Sequence, residues 1–373
     1  MQDKHLHIIS FDIPYPPDYG GVVDVFYKIK ALSSLGIKIH LHCFEYGRKH
    51  AAVLNELCFS VNYYQRKTTK RKLLSKLPYI VSSRESEPLI LNLMKDDYPI
   101  LMEGLHTTLY IDDERLRGRK IIVRNHNIEH DYYRHLAAIE QNPFRKWFFK
   151  IESEKLFSYE KILSNTSTVA AISPADHLYI NEHYNNSFYL PAFHSNEKVN
   201  SLEGIGDYVL YHGNLSVAEN NQAALFLVKN VFRQLNYQLV IAGNNPSKEL
   251  LKAVKNNSTV ELKTNLSAEE MLELIKQAHI NVLPAFQSTG IKLKLINALF
   301  NGRFCIVNPM MVENTGLEHL CFIASTSEEW VIAISQMMKL EFRAQMIKER
   351  EELLLMIFNN GINARKLIEE IYL

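Results

Sequence analysis

The sequence predicts an α/β protein made of two Rossmann-like, doubly wound domains, and three observations carry that reading. The first is a βαβ signature at the start of the chain. The short apolar run from His5 to Ser10 is followed by a loop ending in Gly20-Gly21, a helical stretch from about Val22 to Leu35 and a second apolar run from Ile37 to Phe44. Parallel strands joined this way need a right-handed helical crossover. The second is the regular alternation of short strands and helical segments across the second half of the chain. The third is the stretch from Ile280 to Leu299, where a buried strand, Pro284, a polar turn and an amphipathic helix follow one another.

Taken in order, Gly36 fits the C-cap of the first helix, where a left-handed backbone is needed. Ile100 to Met102 and Lys120 to Val123 are the next strands. They end in Glu103-Gly104-Leu105-His106 and in Arg124-Asn125-His126-Asn127-Ile128-Glu129-His130. Helical periodicity runs from Phe144 to about Leu163, and Val169 to Ile172 is strand-like. The polar segment from Tyr189 to Asn200 contains Pro191 and marks the domain boundary, which gives a first domain over 1–195 and a second over 196–345. Strands of the second domain are expected at Tyr208–Tyr211, Gln238–Ile241, Val260–Leu262, Ile280–Leu283 and Phe304–Val307. Ser267 with Glu270 forms a capping box at the head of one intervening helix. Residues from Glu328 onward are helical, and a last helix over 346–373 is placed to cross back to the first domain.

Composition excludes several classes. The chain has 373 residues with 47% hydrophobic, 22% charged and a net charge of +1. That is ordinary globular composition with no bias toward a polyanion, so no nucleic-acid partner is expected. Cys43, Cys58, Cys305 and Cys321 are far apart and form no metal-ligand pair. Met1 to Ser10 has no basic region leading into a long apolar run, so no signal peptide is expected, and no apolar stretch approaches the ~20 residues of a membrane span. A cytoplasmic protein is expected. The segment Arg66 to Lys76 carries Arg66, Lys67, Lys70, Arg71, Lys72 and Lys76 among Leu73 and Leu74. It fits a basic surface resting peripherally on the anionic inner membrane face, or a solvated helix face.

The site residues follow from where strands end. In doubly wound sheets ligands bind outside the carboxyl ends of the strands. The Gly20-Gly21 loop and the His106 and His126 loops therefore converge on one edge of the first sheet. In the second domain, Gly290 lets the backbone approach a ligand, and a helix starting at or just after it offers free N–H groups and the positive end of a dipole. Lys294 is placed one turn into that helix with Asn297 on its face, whereas Lys292 lies off it. A strand, a glycine turn and a helix carrying one lysine suit a diphosphate. An ordinary βα loop with a solvated lysine is the alternative.

His126-Asn127-Ile128-Glu129-His130 matches H-x-x-E-H, a zinc-peptidase pattern. On one helix its two histidines would share a metal. Here the motif follows a buried strand directly, which puts His126 in a strand-end loop and favours contact with substrate or a structural role. The pairs Asp96-Asp97 and Asp112-Asp113 are not D-x-D and read as solvated turn residues, so no divalent metal is expected.

Together these pieces resemble the GT-B-fold glycosyltransferases, specifically the family 4-like retaining enzymes (glycosyl transferases group 1), over most of the chain. The resemblance rests on Pro14-Tyr15-Pro16-Pro17-Asp18-Tyr19-Gly20-Gly21, Arg124 to Glu129, Tyr211-His212-Gly213-Asn214-Leu215, Leu239 to Gly243, and Ser288 to Leu299 followed by Gly302. It implies two Rossmann-like domains facing each other across a cleft, the second binding a nucleotide-sugar donor. Gly213, Asn214 and Lys294, with Ser288, Thr289 and Gly290 of the donor loop, would hold the diphosphate. Asn297 would meet the ribose, Gly243 would face the base, and Gly20 and Gly21 would line the acceptor side.

His106 and His126, with Glu103 behind them, are the candidate catalytic groups. The implied reaction moves a hexose-like sugar, with retention and without metal or other cofactor, onto a glycan or lipid-linked acceptor in polysaccharide biosynthesis. The sequence departs from the family at Thr289 and Asn297, where the family's paired carboxylates fall. A nucleotide-sugar epimerase of the same architecture, or a degenerate GT-B scaffold, are the alternatives.

Overall fold

The computed structural model describes residues 3–184, 186–286, 292–313 and 315–373, the side chain of Lys70 apart. The described chain divides into two compact units. One holds the residues up to Ser195 together with Phe358–Leu373, and the other the residues from Asn196 to Ile357.

The first unit is a seven-stranded sheet of β1 (His5–Ser10), β2 (Lys38–Glu45), β3 (Ser60–Gln65), β4 (Ile100–Glu103), β5 (Ile121–Asn125), β6 (Thr168–Ala171) and β7 (Ser187–Tyr189). Every neighbouring pair is parallel, in the order β3-β2-β1-β4-β5-β6-β7. All-parallel sheets are covered on both faces, which is why β4 and β5 are buried at every position. The helix Gly20–Ser34 turns Val22, Val25, Ile29 and Leu32 inward, where they share a core with Ala364, Leu367 and Ile371 of the helix Asn360–Tyr372.

The second unit holds a six-stranded sheet of β8 (Tyr208–His212), β9 (Gln238–Ala242), β10 (Val260–Lys263), β11 (Ile280–Leu283), β12 (Phe304–Val307) and β13 (Phe322–Ile323), in the order β10-β9-β8-β11-β12-β13. Its pairs are also parallel. The capping box at Ser267 and Glu270 forms as its spacing requires.

Four local expectations change. The chain's end is not one helix over 346–373 but two, Ala344–Phe358 and Asn360–Tyr372. Asn359 breaks them with an extended backbone, its side chain accepting from Ile362 N at 3.0 Å. Residues 66–76 form no amphipathic helix; a short 3₁₀ turn, Lys70–Leu74, is all the helix they contain. The helix expected from Gly290 begins at Leu293, with Lys292 as its N-cap. Asp96 is no plain solvated turn residue, because it accepts from His7 Nε2 at 2.8 Å and lies 3.4 Å from Arg119.

Candidate active site

In the first sheet the strand order reverses between β1 and β4, so the loops leaving these strands flank the switch-point crevice where such sheets bind ligands. The loop after β1 sends Phe11 against the loop after β4. The Phe11 ring lies 5.3 Å from His106 and meets His126 edge-on at 5.5 Å. Arg84, itself buried, donates from Nε and Nη2 to the Phe11 carbonyl at 3.0 and 2.8 Å and from Nη1 to Ile80 O. Deprived of water and of any bonded carboxylate, that guanidinium is pushed down to about 9. Gly21 lies beneath the same ring, so this glycine of the loop after β1 serves packing, and Gly20 opens the helix.

Beneath the two histidines is a buried charge network. Lys28 Nζ lies 2.8 Å from Asp24 and 2.9 Å from Glu103, all fully buried. Arg124 clasps Asp24 through Nε and Nη2 at 3.0 and 2.9 Å, and Phe193 N donates to it at 2.8 Å. Arg124 and Lys28 hold the Asp24 carboxyl well below the usual carboxylate range in spite of its burial. Glu103 then accepts from His126 Nε2 at 3.0 Å, while His126 Nδ1 stands 4.0 Å from Asp24. Asp24, Glu103 and His126 bring ligand-type atoms within 4.8 Å of one another. Two cations already balance the two carboxylates, and a divalent ion there would have to expel Lys28 from both.

The two sequence-predicted histidines are therefore not equivalent. His126 addresses its nitrogens to the network and is 6% exposed, whereas His106 keeps 21% of its side chain exposed. Burial, with the charge of Arg84, holds the His106 imidazole well below its ordinary range, so it is neutral. Its Nδ1 lies 3.9 Å from the Glu129 carboxyl, which burial pushes up to about 8. The other histidine of H-x-x-E-H turns elsewhere, with His130 Nδ1 3.1 Å from Glu160. The two histidines thus engage different carboxylates, as a strand-end position for His126 requires.

In the second sheet the order reverses between β8 and β11. The loop after β8 carries Gly213 and Asn214, and the chain after β11 leads to the helix Leu293–Asn301. Gly213 N donates to Ala242 O at 3.0 Å, and a Cβ on Gly243 would lie 1.9 Å from Gly213 O. Gly243 is thus required by the close approach of two strand ends. Asn220 ties the region together: it donates to Asn214 O at 3.0 Å and accepts from Lys294 Nζ at 3.2 Å. Burial brings Lys294 down to about 8, opposed by Glu219 and assisted by Lys292. Burial and the Lys294 charge together bring His212 down to about 3.

Lys292 is the N-cap of this helix. It is half-buried beside Lys294, is lowered by the same burial and feels the same Glu219, whose carboxylate accepts from Phe286 N at 3.1 Å. Asn297 is engaged through Oδ1 by Asn301 Nδ2 at 2.9 Å. Ser288, Thr289 and Gly290 lie outside the described residues. The structure thus places Gly213, Asn214, Gly243 and Lys294 at one switch point, and Phe11, Glu103, His106 and His126 at the other.

Sequence reasoning gave no role to Asp24 or Lys28, and quoted Arg124 only as part of a strand-end motif. Its available signal was an Asp and a Lys four residues apart on an otherwise apolar helix face.

Two parallel sheets, each with its switch point at the third strand junction of its order, match known architectures along their whole length. Sucrose-phosphate synthase from Thermosynechococcus elongatus superposes with a TM-score of 0.69 at 14% identity, covering 98% of each chain. The lipopolysaccharide outer core galactosyltransferase WaaB does so at 0.65 and 15% identity, covering 98% of this chain and 99% of its own. The chain has the GT-B fold. No protein-family model matches it. A curated relative, 27% identical over 331 residues and 84% of each chain, is described as an uncharacterized 44.6 kDa protein in the cps region of Klebsiella pneumoniae. No helix among the described residues of this GT-B chain is long and apolar enough to cross a membrane.

Proposed function

We propose that this GT-B protein is a retaining glycosyltransferase that moves a hexose-like sugar from a nucleotide-diphosphate donor to a glycan or lipid-linked acceptor, without a metal. One observation carries the reading: Lys292 and Lys294 stand together at the head of the Leu293–Asn301 helix, at the switch point of the second sheet. Two half-buried cations and a helix N-terminus in a switch-point crevice recognise a diphosphate. The charge of the departing diphosphate is stabilised there by lysine and helix rather than by an ion. In a front-face displacement the leaving phosphate itself takes the acceptor proton, so no protein nucleophile is needed. The acceptor side is assigned to the first unit's switch point, where neutral, half-open His106 hydrogen-bonds a sugar hydroxyl. Glu103 acts behind it through His126, as a positioning residue.

A second reading, a scaffold that binds a nucleotide sugar without turning it over, is favoured by Asn297. The resemblance expects a carboxylate there, and the amide oxygen present is already used by Asn301.

Thermal denaturation with a panel of nucleotide sugars tests the first step, because a ligand of the folded state raises Tm. At least one diphosphate sugar should raise Tm, and less in Lys294→Met. That sugar should then be consumed only when an acceptor is added, giving a product of retained anomeric configuration. Consumption without acceptor means epimerisation, and binding with no consumption means the scaffold. If no nucleotide diphosphate shifts Tm, the donor-site assignment fails.

A further inference from the structure

We propose that His212 is a further donor-site residue, whose Nε2 hydrogen-bonds the nucleotide diphosphate beside Lys294. The inference rests on the donor-site reading and deepens it. His212 is the last residue of β8, in register with Ala242 of β9. Side chains alternate along a strand, so it shares a sheet face with Leu210, two residues earlier. On that face Leu210, Val240 and Ala242 form an apolar layer with Ile275 and Ala278. A leucine or valine at position 212 would extend the layer. The row ends instead in an imidazole that is 6% exposed, and its Nε2 has no hydrogen-bond partner among the described residues.

A buried polar atom left without a partner destabilises the folded chain, and native proteins pair nearly all of them. The neighbouring Tyr211 follows that rule, its hydroxyl donating to Asn220 O at 2.9 Å. What sets His212 apart is its place. The strand ends at this residue, at the switch point of the second sheet, where Gly213 N turns to Ala242 O at 3.0 Å. Lys294 is the charged group that acts on the ring, and with burial it keeps the imidazole neutral. The ring therefore offers one N–H and no charge of its own. A third cation beside Lys292 and Lys294 would repel both while the site is empty, whereas a neutral donor adds a contact without that repulsion. An anion drawn in by the lysines and the helix start brings the acceptor that Nε2 lacks.

Calorimetric titration of the full chain with UDP, GDP and ADP tests this, using whichever binds the wild type most tightly. His212→Leu removes the orphaned nitrogen and extends the apolar layer. The free variant should melt at the wild-type Tm or above it, yet bind the diphosphate about threefold to tenfold more weakly, the loss of one neutral hydrogen bond. His212→Gln, whose side-chain amide reaches about as far as Nε2, should recover most of that loss. Should His212→Leu not fold, His212→Ala takes its place, being too short to reach the ligand. Wild-type binding that His212→Leu or His212→Ala leaves unchanged overturns this inference alone. Equal losses in His212→Leu and His212→Gln also overturn it, by showing that the shape of the ring matters and its N–H does not. If none of the three diphosphates binds the wild type, the donor-site reading fails and this inference falls with it.

Discussion

Gly21 lies under the ring of Phe11 so closely that a Cβ at that position would sit 2.6 Å from Phe11 Cζ. The same ring packs on both His106 and His126, so one methyl group at Gly21 would act on the switch point through Phe11. Gly21→Ala should therefore lower turnover more than it lowers stability. A loss of about 1–3 kcal/mol is expected for overpacking, with kcat falling at least about tenfold. Adding Phe11→Leu, which shortens the ring, should restore part of the stability. If Gly21→Ala leaves turnover unchanged, Phe11 does not set the histidines.

The paired lysines predict both a mutational and a pH effect. Lys294→Met should weaken nucleotide diphosphate binding about tenfold to a hundredfold, since a charge-assisted contact is worth roughly 1.5–3 kcal/mol. Lys292→Met should also weaken it, because both lysines stand at the head of the same helix, at its N-cap and in its first turn. With the Lys294 ammonium brought down to about 8 in the free protein, a bound anion favours the protonated form. Affinity should fall as pH rises through about 8, and this fall should vanish in Lys294→Met. Calorimetric titration across pH 6.5–9 checks both; an unchanged Kd for Lys292→Met would place the diphosphate on Lys294 alone.

Lys292 also shows why parts of the site were hidden in the sequence. Residues two apart on a helix point to different sides, which is why Lys292 reads as remote from Lys294. The helix starts at Leu293, so Lys292 is its N-cap, outside the helical wheel, and the Glu219 carboxylate acts on it as on Lys294. Where periodicity governs, the reading was sound: β1, β2, β4 to β6 and β8 to β12 lie where apolar runs end in turn residues. The strands that periodicity does not mark are β3, β7 and β13, half-buried or exposed edge strands with no apolar run to show them. Asp24 and Lys28 were read through as helix. Their meaning comes from Glu103 and Arg124, 75 and 100 residues away, which only the parallel register of β1, β4 and β5 brings near.

That network predicts a large stability effect. Asp24→Ala removes the carboxylate that faces both Lys28 and Arg124 and leaves two buried cations underpaired. Breaking a buried pair from one side costs about 3–5 kcal/mol. Urea unfolding should show that loss, whereas Lys28→Met with Glu103→Gln, which removes charge of both signs, should cost less than the two single variants added. A loss below about 1 kcal/mol for Asp24→Ala would mean that water reaches the cluster.

Acid stability should be governed by a second set of histidines, on β1 and β2. Asp96 accepts from His7 Nε2 at 2.8 Å, His7 Nδ1 meets His42 Nε2 at 2.9 Å, and His42 Nδ1 meets Tyr64 Oη at 2.8 Å. The carboxylate end fixes the tautomers: His7 carries its proton on Nε2, so its Nδ1 accepts from His42, and His42 Nδ1 accepts from the tyrosine. Protonating His7 would set one N–H against another.

Burial brings His7 down to about 4, against 6.5 for a free imidazole, and lowers His42 in the same direction; His40 and Arg119 add to the lowering at His7 while Asp96 opposes it. Between those two values the unfolded chain binds more protons, so stability is complete above pH 6.5 and is lost as pH falls toward 4. At about 1.4 kcal/mol per unit, His7 alone accounts for roughly 3 kcal/mol. Glu129, pushed up to about 8, has the opposite sign, losing stability as pH rises from 4.5 to 8. The difference between wild type and His7→Gln isolates the histidine from it. Urea unfolding at pH 7.5, 5.5 and 4.5 should give His7→Gln a shallower acid loss than wild type, and parallel curves for the two proteins would refute the assignment to His7.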